Sequence, residues 1–485
     1  MIGRTSIAVL ALVSLAGCST IGTEDYAQSD AGFAAVSVKS VSILDKQTVW
    51  IQGREQAQQA ADVVRAMVYG KTITAETAVQ VALYNNRGLQ ASYADLGMAS
   101  AEVWQQSLLE NPVVSIGTLG IGSPELGAYR AIEAVVAANI VSLVTRNKRV
   151  AVAEAQFRQT QMEAVVDTLS LANETRRAWI DAVSAFERVY YLNQALKAAD
   201  AASELAEKLG ETGALNKMGQ AREHVFYAEL TGQKAEAVLA ARNAKERLTR
   251  LMGLWGADTK YFVPDKLPDL PGSVTVKRDV EQKALLSRAD LQVARLQLES
   301  TALSYGLTEA TRYLTDLEVI GGFETERELE DERVKTKTTP QVELEFTIPI
   351  FDSGKARLRK AEMAYMRDAN RLAEKAVNVR SEARSAYTTY HATHDIARHY
   401  SRNVLPLRVL IEEEALLNYN GMIGSPFELL ADTRSRIGSV LLSVDAKRAF
   451  WLADANMNAA IFGPGLTPDD GNDQEMVSNA GNGGH

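Results

Sequence analysis

Two well-separated stretches of the chain are versions of one another. "ALYNNRGLQASYADL" (82–96) resembles "ALLSRADLQVARLQL" (284–298), with Ala82, Leu83, Leu89 and Gln90 opposite Ala284, Leu285, Leu291 and Gln292. Further on, "ETRRAW" (174–179) matches "EARSAY" (382–387), and Gly213 matches Gly421 at the same offset. The order of features between these marks repeats as well: helix, hairpin, long helix, break, helix. A duplicated supersecondary unit constrains this fold more than any other feature, because whatever one half forms the other is expected to form.

Helix dominates the reading. Only 11 prolines interrupt a chain rich in Ala, Leu, Glu, Arg and Gln, all but proline good helix formers. Residues 75–110 read as helix in two pieces split near Asn85, Asn86 and Gly88, and Leu89, Leu96 and Val103 fall seven apart as a packing seam. Asn111-Pro112 ends it. Thr145 to Leu209 contains neither Pro nor Gly, which is on the order of 100 Å of helix at ~1.5 Å per residue. Gly210 and Gly213 are expected to break it, a second helix runs from about Leu215 to Met252, and Pro264, Pro268 and Pro271 mark a linker. The expected division is a signal peptide (1–17), a polar lead-in (18–70), a first repeat (71–255), a linker (256–274), a second repeat (275–463) and a disordered tail rich in Gly, Asn and Asp (464–485).

Each repeat carries a candidate hairpin, at about 112–140 and about 315–351. In the second, Leu317, Val319, Gly321 and Phe323 share one face with Glu318 and Glu324 opposite. After a charged loop, "TERELEDERVKTKTT", Val342, Leu344, Phe346, Ile348 and Ile350 alternate with Gln341, Glu343, Glu345 and Thr347. Strict period-2 alternation gives one apolar and one polar face. Such a face meets a core in a soluble sheet and lipid in an outer-membrane barrel, where strands run about 10 residues. The first-half hairpin, Val113–Ile121 with "YRAIEAVVAAN", alternates poorly. Four strands cannot close a barrel alone, since single-chain bacterial barrels start at about eight and open edges cannot sit in lipid. Two copies would supply eight strands and three would supply twelve.

At the N-terminus, Arg4, the apolar run "IAVLALVSLA" and "LAGC" up to Cys18 resemble a bacterial lipoprotein signal, in which the cysteine is lipidated. Cys18 is the only cysteine, so it has no internal disulfide partner. The other reading is an ordinary secretory signal with a chance cysteine. Ser19 is not the aspartate that retains lipoproteins at the inner membrane, so the expectation is the outer membrane. No later stretch reaches the roughly 20 apolar residues of a membrane-spanning helix. The formal charge of -9 argues against a nucleic-acid partner. His391, His394 and His399 lack a close Cys or carboxylate set of structural-zinc type, and a solvated helix face accounts for them. No nucleophile–base pair, phosphate loop or paired-carboxylate site stands in a convincing context, so no enzyme, cofactor or metal is expected.

Three motifs in the right order are similar to those of the TolC-like outer-membrane efflux family. "TITAETAVQVALYNNRGLQASYADLGMASAEVW" resembles that family's opening helix pair. "IPIFDSGKARLRKAE" (348–362) resembles its barrel-to-helix junction, with Pro349, Asp352 and Gly354 before a basic helix start. "YNGMIGSPFELLADTR" (419–434) resembles the break before its last long helix. The resemblance spans roughly residues 72–463. It implies a mainly α fold with a membrane β-barrel portion: a long α-helical tunnel plus four β-strands per chain, completed to a twelve-stranded barrel in a homotrimer. It also implies outer-membrane lipid around the barrel, and a periplasmic adaptor and inner-membrane efflux pump as partners, passing small molecules or metal ions through a passive duct. The two breaks are the natural adaptor surface, with Gly213, Leu215, Gly421, Ile423 and Ser425 as candidate contacts, or else mere turns. Glu428 and Asp432 lie four apart on one helix face, so a three-fold tip could present rings of carboxylates as a cation-favouring gate. Ala431 stands where the family often has an acid, and the alternative is a solvated helix start. The first-half counterparts are Gln220 and His224. Two other readings stay open: a periplasmic lipoprotein scaffold that binds partners through its helices, and the outer-membrane duct of a protein secretion system.

Overall fold

The computed structural model describes residues 24–122, 126–274, 279–330, 333–421 and 426–463. Cys18, the signal and the tail lie outside them. The helices are α1 (Phe33–Leu44), α2 (Arg54–Val68), α3 (Ala75–Asn85), α4 (Arg87–Ser107), α5 (Ile140–Glu211), α6 (Lys217–Leu251), α7 (Val280–Ser287), α8 (Ala289–Ala310), α9 (Lys355–His399), α10 (Leu405–Asn420) and α11 (Pro426–Phe462). The strands are β1 (Val113–Leu119), β2 (Ala131–Asn139), β3 (Leu317–Glu330) and β4 (Arg333–Phe346). Each repeat thus has two short helices, a hairpin, a long helix, a break and a further helix. The lead-in, expected only to be polar, holds α1 and α2.

The duplication is visible in the backbone. α3 ends at Asn86 with φ -67 and ψ 121, its N–H bonded to the Ala82 carbonyl. α7 ends at Arg288 with φ -68 and ψ 121, bonded to Ala284. The kink is the same, and different side chains hold it. Asn86 reaches the Leu251 carbonyl (2.9 Å) and Asn85 that of Gly253 (2.7 Å). Arg288, 3% exposed, pairs with Asp290 at 2.9 Å and Glu382 at 2.5 Å. The expected seam is buried throughout, with Leu89 at 3% and Leu96 and Val103 at 0%.

The described residues form two compact units, one from residues 24–34, 94–162 and 292–374 and one from 35–93, 163–291 and 375–463, so each repeat feeds both. In the first unit Tyr26 sets its ring edge against Phe157 and accepts from Ser100 through its carbonyl (2.7 Å). Asp368 of α9 ties to α8 by accepting from Thr301 Oγ1 at 2.8 Å. In the second unit Trp179 donates its indole N–H to the Ile73 carbonyl at 3.0 Å. α5 and α6 share a core of Leu192, Ala195, Ala199, Leu230 and Ala237. These small residues let the long helices approach closely.

The sheet is a single antiparallel meander in the order β1-β2-β3-β4. One expectation is overturned here. Among the described residues the charged segment of the second hairpin is strand, not loop, up to Glu330 and from Arg333, and β3 and β4 run 14 residues each rather than about ten. The register explains it: Glu326 stands opposite Lys337 and Glu328 opposite Lys335, and opposite charges facing each other across strands stabilise the pairing. Thr325 and Thr338 add a hydroxyl contact at 3.1 Å. At β2–β3, Gly322 is obligatory, because a Cβ there would collide with the Ala134 carbonyl.

Candidate functional site

The sheet has two chemically distinct faces. The register aligns Leu317, Val319 and Phe323 of β3 with Phe346, Leu344 and Pro340 of β4, and with Ala138 and Ala134 of β2. This face is apolar and uncovered in one chain: Ile116 is 74% exposed, Val342 82% and Leu344 60%. The opposite face is acidic. Glu318 stands directly opposite Glu345, Glu133 opposite Glu324, and Glu343 opposite Ile320. Like charges directly across strands are unfavourable, yet two such pairs occur here, Glu318–Glu345 at the end of the sheet where α5 begins and Glu133–Glu324 nearer its middle. The balanced Glu/Lys pairs occupy the opposite end. β1 and β4 are both edges, with ladder groups unused on one side.

The two strand-to-helix junctions differ. The sequence suggests almost no loop in "IPIFDSGKARLRKAE", but β4 stops at Phe346 and α9 starts at Lys355. Between them Asp352 accepts the Gly354 N–H (2.8 Å), and Arg312 donates to the Ser353 carbonyl (3.1 Å). Gly354 has φ +70, and a Cβ there would lie 2.7 Å from the Arg312 carbonyl oxygen. Pro349 sits in this irregular stretch, which has no free ladder position for it to disturb. The loop-free junction is the first one, where Asn139 ends β2 and caps α5 by accepting the Ser142 N–H (3.0 Å). Asn139 also donates to Asp316 at 2.9 Å.

At the first break, α5 runs through Gly210 and ends at Glu211, so Gly210 does not break it. A Cβ there would meet only the end of the flexible Gln220 side chain, which would have to move aside. Gly213 has φ +75 and donates its N–H to the Gly210 carbonyl (3.1 Å), and the Leu215 N–H returns to the Leu209 carbonyl (3.0 Å), a left-handed glycine stop of the helix. Asn216 then caps α6 through the Gly219 N–H (2.8 Å). Gly213 is exposed, whereas Leu215 is 3% exposed and turned into the protein. At the second break Gly421 ends α10 with an ordinary φ of -77, and Ile423 and Ser425 lie outside the described residues.

Glu428 is exposed and Asp432 half-buried, both in the first turns of α11. Among the described residues neither carboxylate has a hydrogen-bond or ion-pair partner. The engaged acid is one that sequence reasoning missed. Glu223 of α6, 6% exposed, accepts from Arg434 of α11 at 2.6 Å. Arg434 also donates to the Arg222 carbonyl at 3.0 Å and lies over the Phe226 ring at 4.8 Å. Arg436 pairs with Glu412, and Arg408 donates to Ser439 Oγ at 3.2 Å, joining α10 to α11. The offset comparison landed on Gln220 and His224, and His224 instead bonds Ser203 Oγ (2.6 Å).

The three histidines do not converge. His394 is buried against Phe450 with Nε2 on the Pro271 carbonyl at 3.0 Å, while His399 bonds Asn403. Among the described residues no group of three His, Cys, Asp or Glu side chains could hold a metal ion.

No family model matches the sequence, and no curated protein sequence matches it either. Solved structures do match. The chain is similar to CusC, whose structures concern transmembrane channel formation, at 17% identity and a TM-score of 0.66 over 80% of this chain and 92% of that one. It is similar to the outer-membrane channel OprN at 16% identity and a TM-score of 0.65, covering 92% and 96%. The outer membrane channel CmeC of Campylobacter jejuni gives 17% identity and a TM-score of 0.61, covering 82% and 87%. The chain therefore has the TolC-like fold that these outer-membrane channels share, a long helical body with a four-strand sheet per chain. Among the described residues no helix is long and apolar enough to cross a membrane.

Proposed function

We propose that this chain is the outer-membrane channel of a tripartite efflux pump, a passive duct without catalytic chemistry. One observation carries the reading: a four-strand sheet with an uncovered apolar face, an acidic opposite face and two free edges. In water such a sheet would expose apolar surface and unpaired backbone together. Closure with other copies removes the edges and puts the apolar face in lipid and the acidic face around water. Three copies give twelve strands, the homotrimer that the family resemblance implies. The helices extend into the periplasm, and Cys18 carries a lipid that adds to membrane attachment. The breaks near Gly213 and Gly421 meet a periplasmic adaptor, which links the duct to an inner-membrane pump supplying small molecules or metal ions. Glu428 and Asp432, without partners among the described residues, are the gate carboxylates, and the Arg434–Glu223 pair braces α11 against α6 beside them.

Two measurements test this. Membrane-extracted protein should run as a heat-modifiable trimer and form channels in planar bilayers. A soluble monomer after Cys18→Ala would instead support a lipoprotein scaffold. Glu428→Ala with Asp432→Ala should change conductance and cation preference, whereas Arg434→Met should raise the open fraction without changing selectivity. Unchanged conductance and selectivity in the acid variant would remove the gate assignment.

A further inference from the structure

The linker between the repeats is a strap, and a cavity lies beneath it. Lys245 of α6 donates to the Tyr261 carbonyl (2.8 Å). Glu187 of α5 accepts the Leu267 N–H (2.9 Å), and Lys447 of α11 donates to the Leu267 carbonyl (2.7 Å). Trp451 of α11 reaches the Pro268 carbonyl (3.1 Å) and His394 of α9 that of Pro271 (3.0 Å). Four long helices thus hold one extended segment by its backbone. At its far end, a cavity of about 330 Å³ is walled by the strap, α5, α9, the start of α10 and α11.

The charges around this cavity do not cancel. Glu187 and Lys447 lie 3.5 Å apart and are both committed to the strap. Arg398 and Arg402 also line the cavity, and among the described residues neither guanidinium has a hydrogen bond or ion pair. Asp269 at the rim is the one acid left to set against them. Leu405, Val440 and Val444 supply an apolar floor, with the Ser443 hydroxyl beside it. The backbone is unusual at this point. Tyr400–Val404 is a π-turn, with the Leu405 N–H bonded five residues back to the Tyr400 carbonyl. Pro406 follows and has no N–H to give the Arg402 carbonyl. Such turns are rare and are frequently found at functional sites; Arg402 lies within this one and Arg398 two residues before it.

We propose that the cavity is a binding site for a small aromatic or branched carboxylate, its carboxylate held by Arg398 and Arg402 and its body on the apolar floor. Guanidinium groups match a planar carboxylate with paired hydrogen bonds. The volume lies at the small end of ligand pockets and is about twice the 150 Å³ that accommodates benzene, so a benzoate-sized body fits. The lining includes no residue of the sheet or of either break, and the proposal does not depend on the channel reading.

The test is titration of 4-fluorobenzoate into the full, detergent-solubilised chain, followed by fluorine NMR and calorimetry. Saturable binding at one site per chain is expected, with Kd on the order of 1 mM or tighter for a ligand of this size. Arg398→Gln with Arg402→Gln should weaken it at least about tenfold, as should replacing the acid by 4-fluorobenzamide. Lys266→Gln, an exposed strap lysine outside the cavity, should leave it unchanged. Equal affinity for acid and amide, equal affinity in the double variant, or no saturable binding would each overturn the proposal. So would loss of the oligomer in the double variant, since the arginines would then serve a second copy of this chain.

Discussion

Asp368 shows how a single side chain can fix one helix against another. It is 4% exposed and accepts from Arg367 Nε at 2.8 Å, Thr301 at 2.8 Å and Gln297 at 3.4 Å. The Arg367 hydrogen bond leads in holding its carboxyl below the ordinary carboxylate range, against the opposing effect of burial. A depressed folded-state pKa means stabilisation that is present above the unfolded value of about 3.9 and lost as pH falls through the folded value. Asp368→Asn should cost about 1.5–3 kcal/mol at pH 7, the range for hydrogen bonds to a charged group. The difference in thermal midpoint between wild type and variant should then shrink below about pH 4. Melting the detergent-solubilised protein from pH 7 to pH 3 checks this, and a constant difference would mean that the charge of Asp368 is not what ties α8 to α9. Glu223 offers the contrasting lesson. Its role depends on how α6 lies against α11, and counting along the duplication points one residue away, to His224.

At the scale of elements, what was legible in the sequence was local. The kinked helix pair, the Leu89–Leu96–Val103 seam and the alternating face from Leu317 to Phe323 follow from periodicity, which needs no partner to be read. The β3–β4 extension was missed because its charges looked like a loop, although Glu324, Glu326, Glu328 and Glu330 alternate strictly and carry the signal. The strap was invisible for a different reason. Its bonds run from backbone carbonyls and amides to side chains far away in sequence, and no spacing rule encodes them. The β2–β3 pairing gives the sharpest test of an element. Gly322 faces Ala134 and Val135 too closely for any side chain, so Gly322→Val should separate the two hairpins. Circular dichroism should keep its helical signal while heat-modifiable oligomer is lost. Retention of the oligomer would show that the hairpins assemble without this close approach.

For the whole molecule, the acidic sheet face makes a prediction that neither the gate nor the cavity makes. Glu133, Glu318, Glu324, Glu343 and Glu345 have no basic residue directly opposite on a paired strand, and in a closed barrel each would recur once per copy around the water-filled bore. Fixed carboxylates raise the local cation concentration and repel anions, as rings of acids do in cation channels. Their reach is set by screening, with a Debye length of about 10 Å at 0.1 M salt and about 3 Å at 1 M. Cation preference should therefore be strong in dilute salt and weak in concentrated salt. In a tenfold KCl gradient an ideally cation-selective pore gives ~59 mV for a monovalent ion. If the chain forms the proposed channel, the wild type should show a clear cation-directed reversal potential when the dilute side is near 10 mM, where the Debye length is about 30 Å. Glu318→Gln, Glu343→Gln and Glu345→Gln together remove the densest part of the face and should reduce that potential substantially, with single-channel conductance in concentrated salt nearly unchanged. Since β3 and β4 keep their pairing in glutamine variants, a lost potential would report charge and not collapse. If the triple variant keeps the wild-type potential while Glu428→Ala with Asp432→Ala abolishes it, selectivity belongs to the break between the helices, and the carboxylates of the sheet do not face the conducting path.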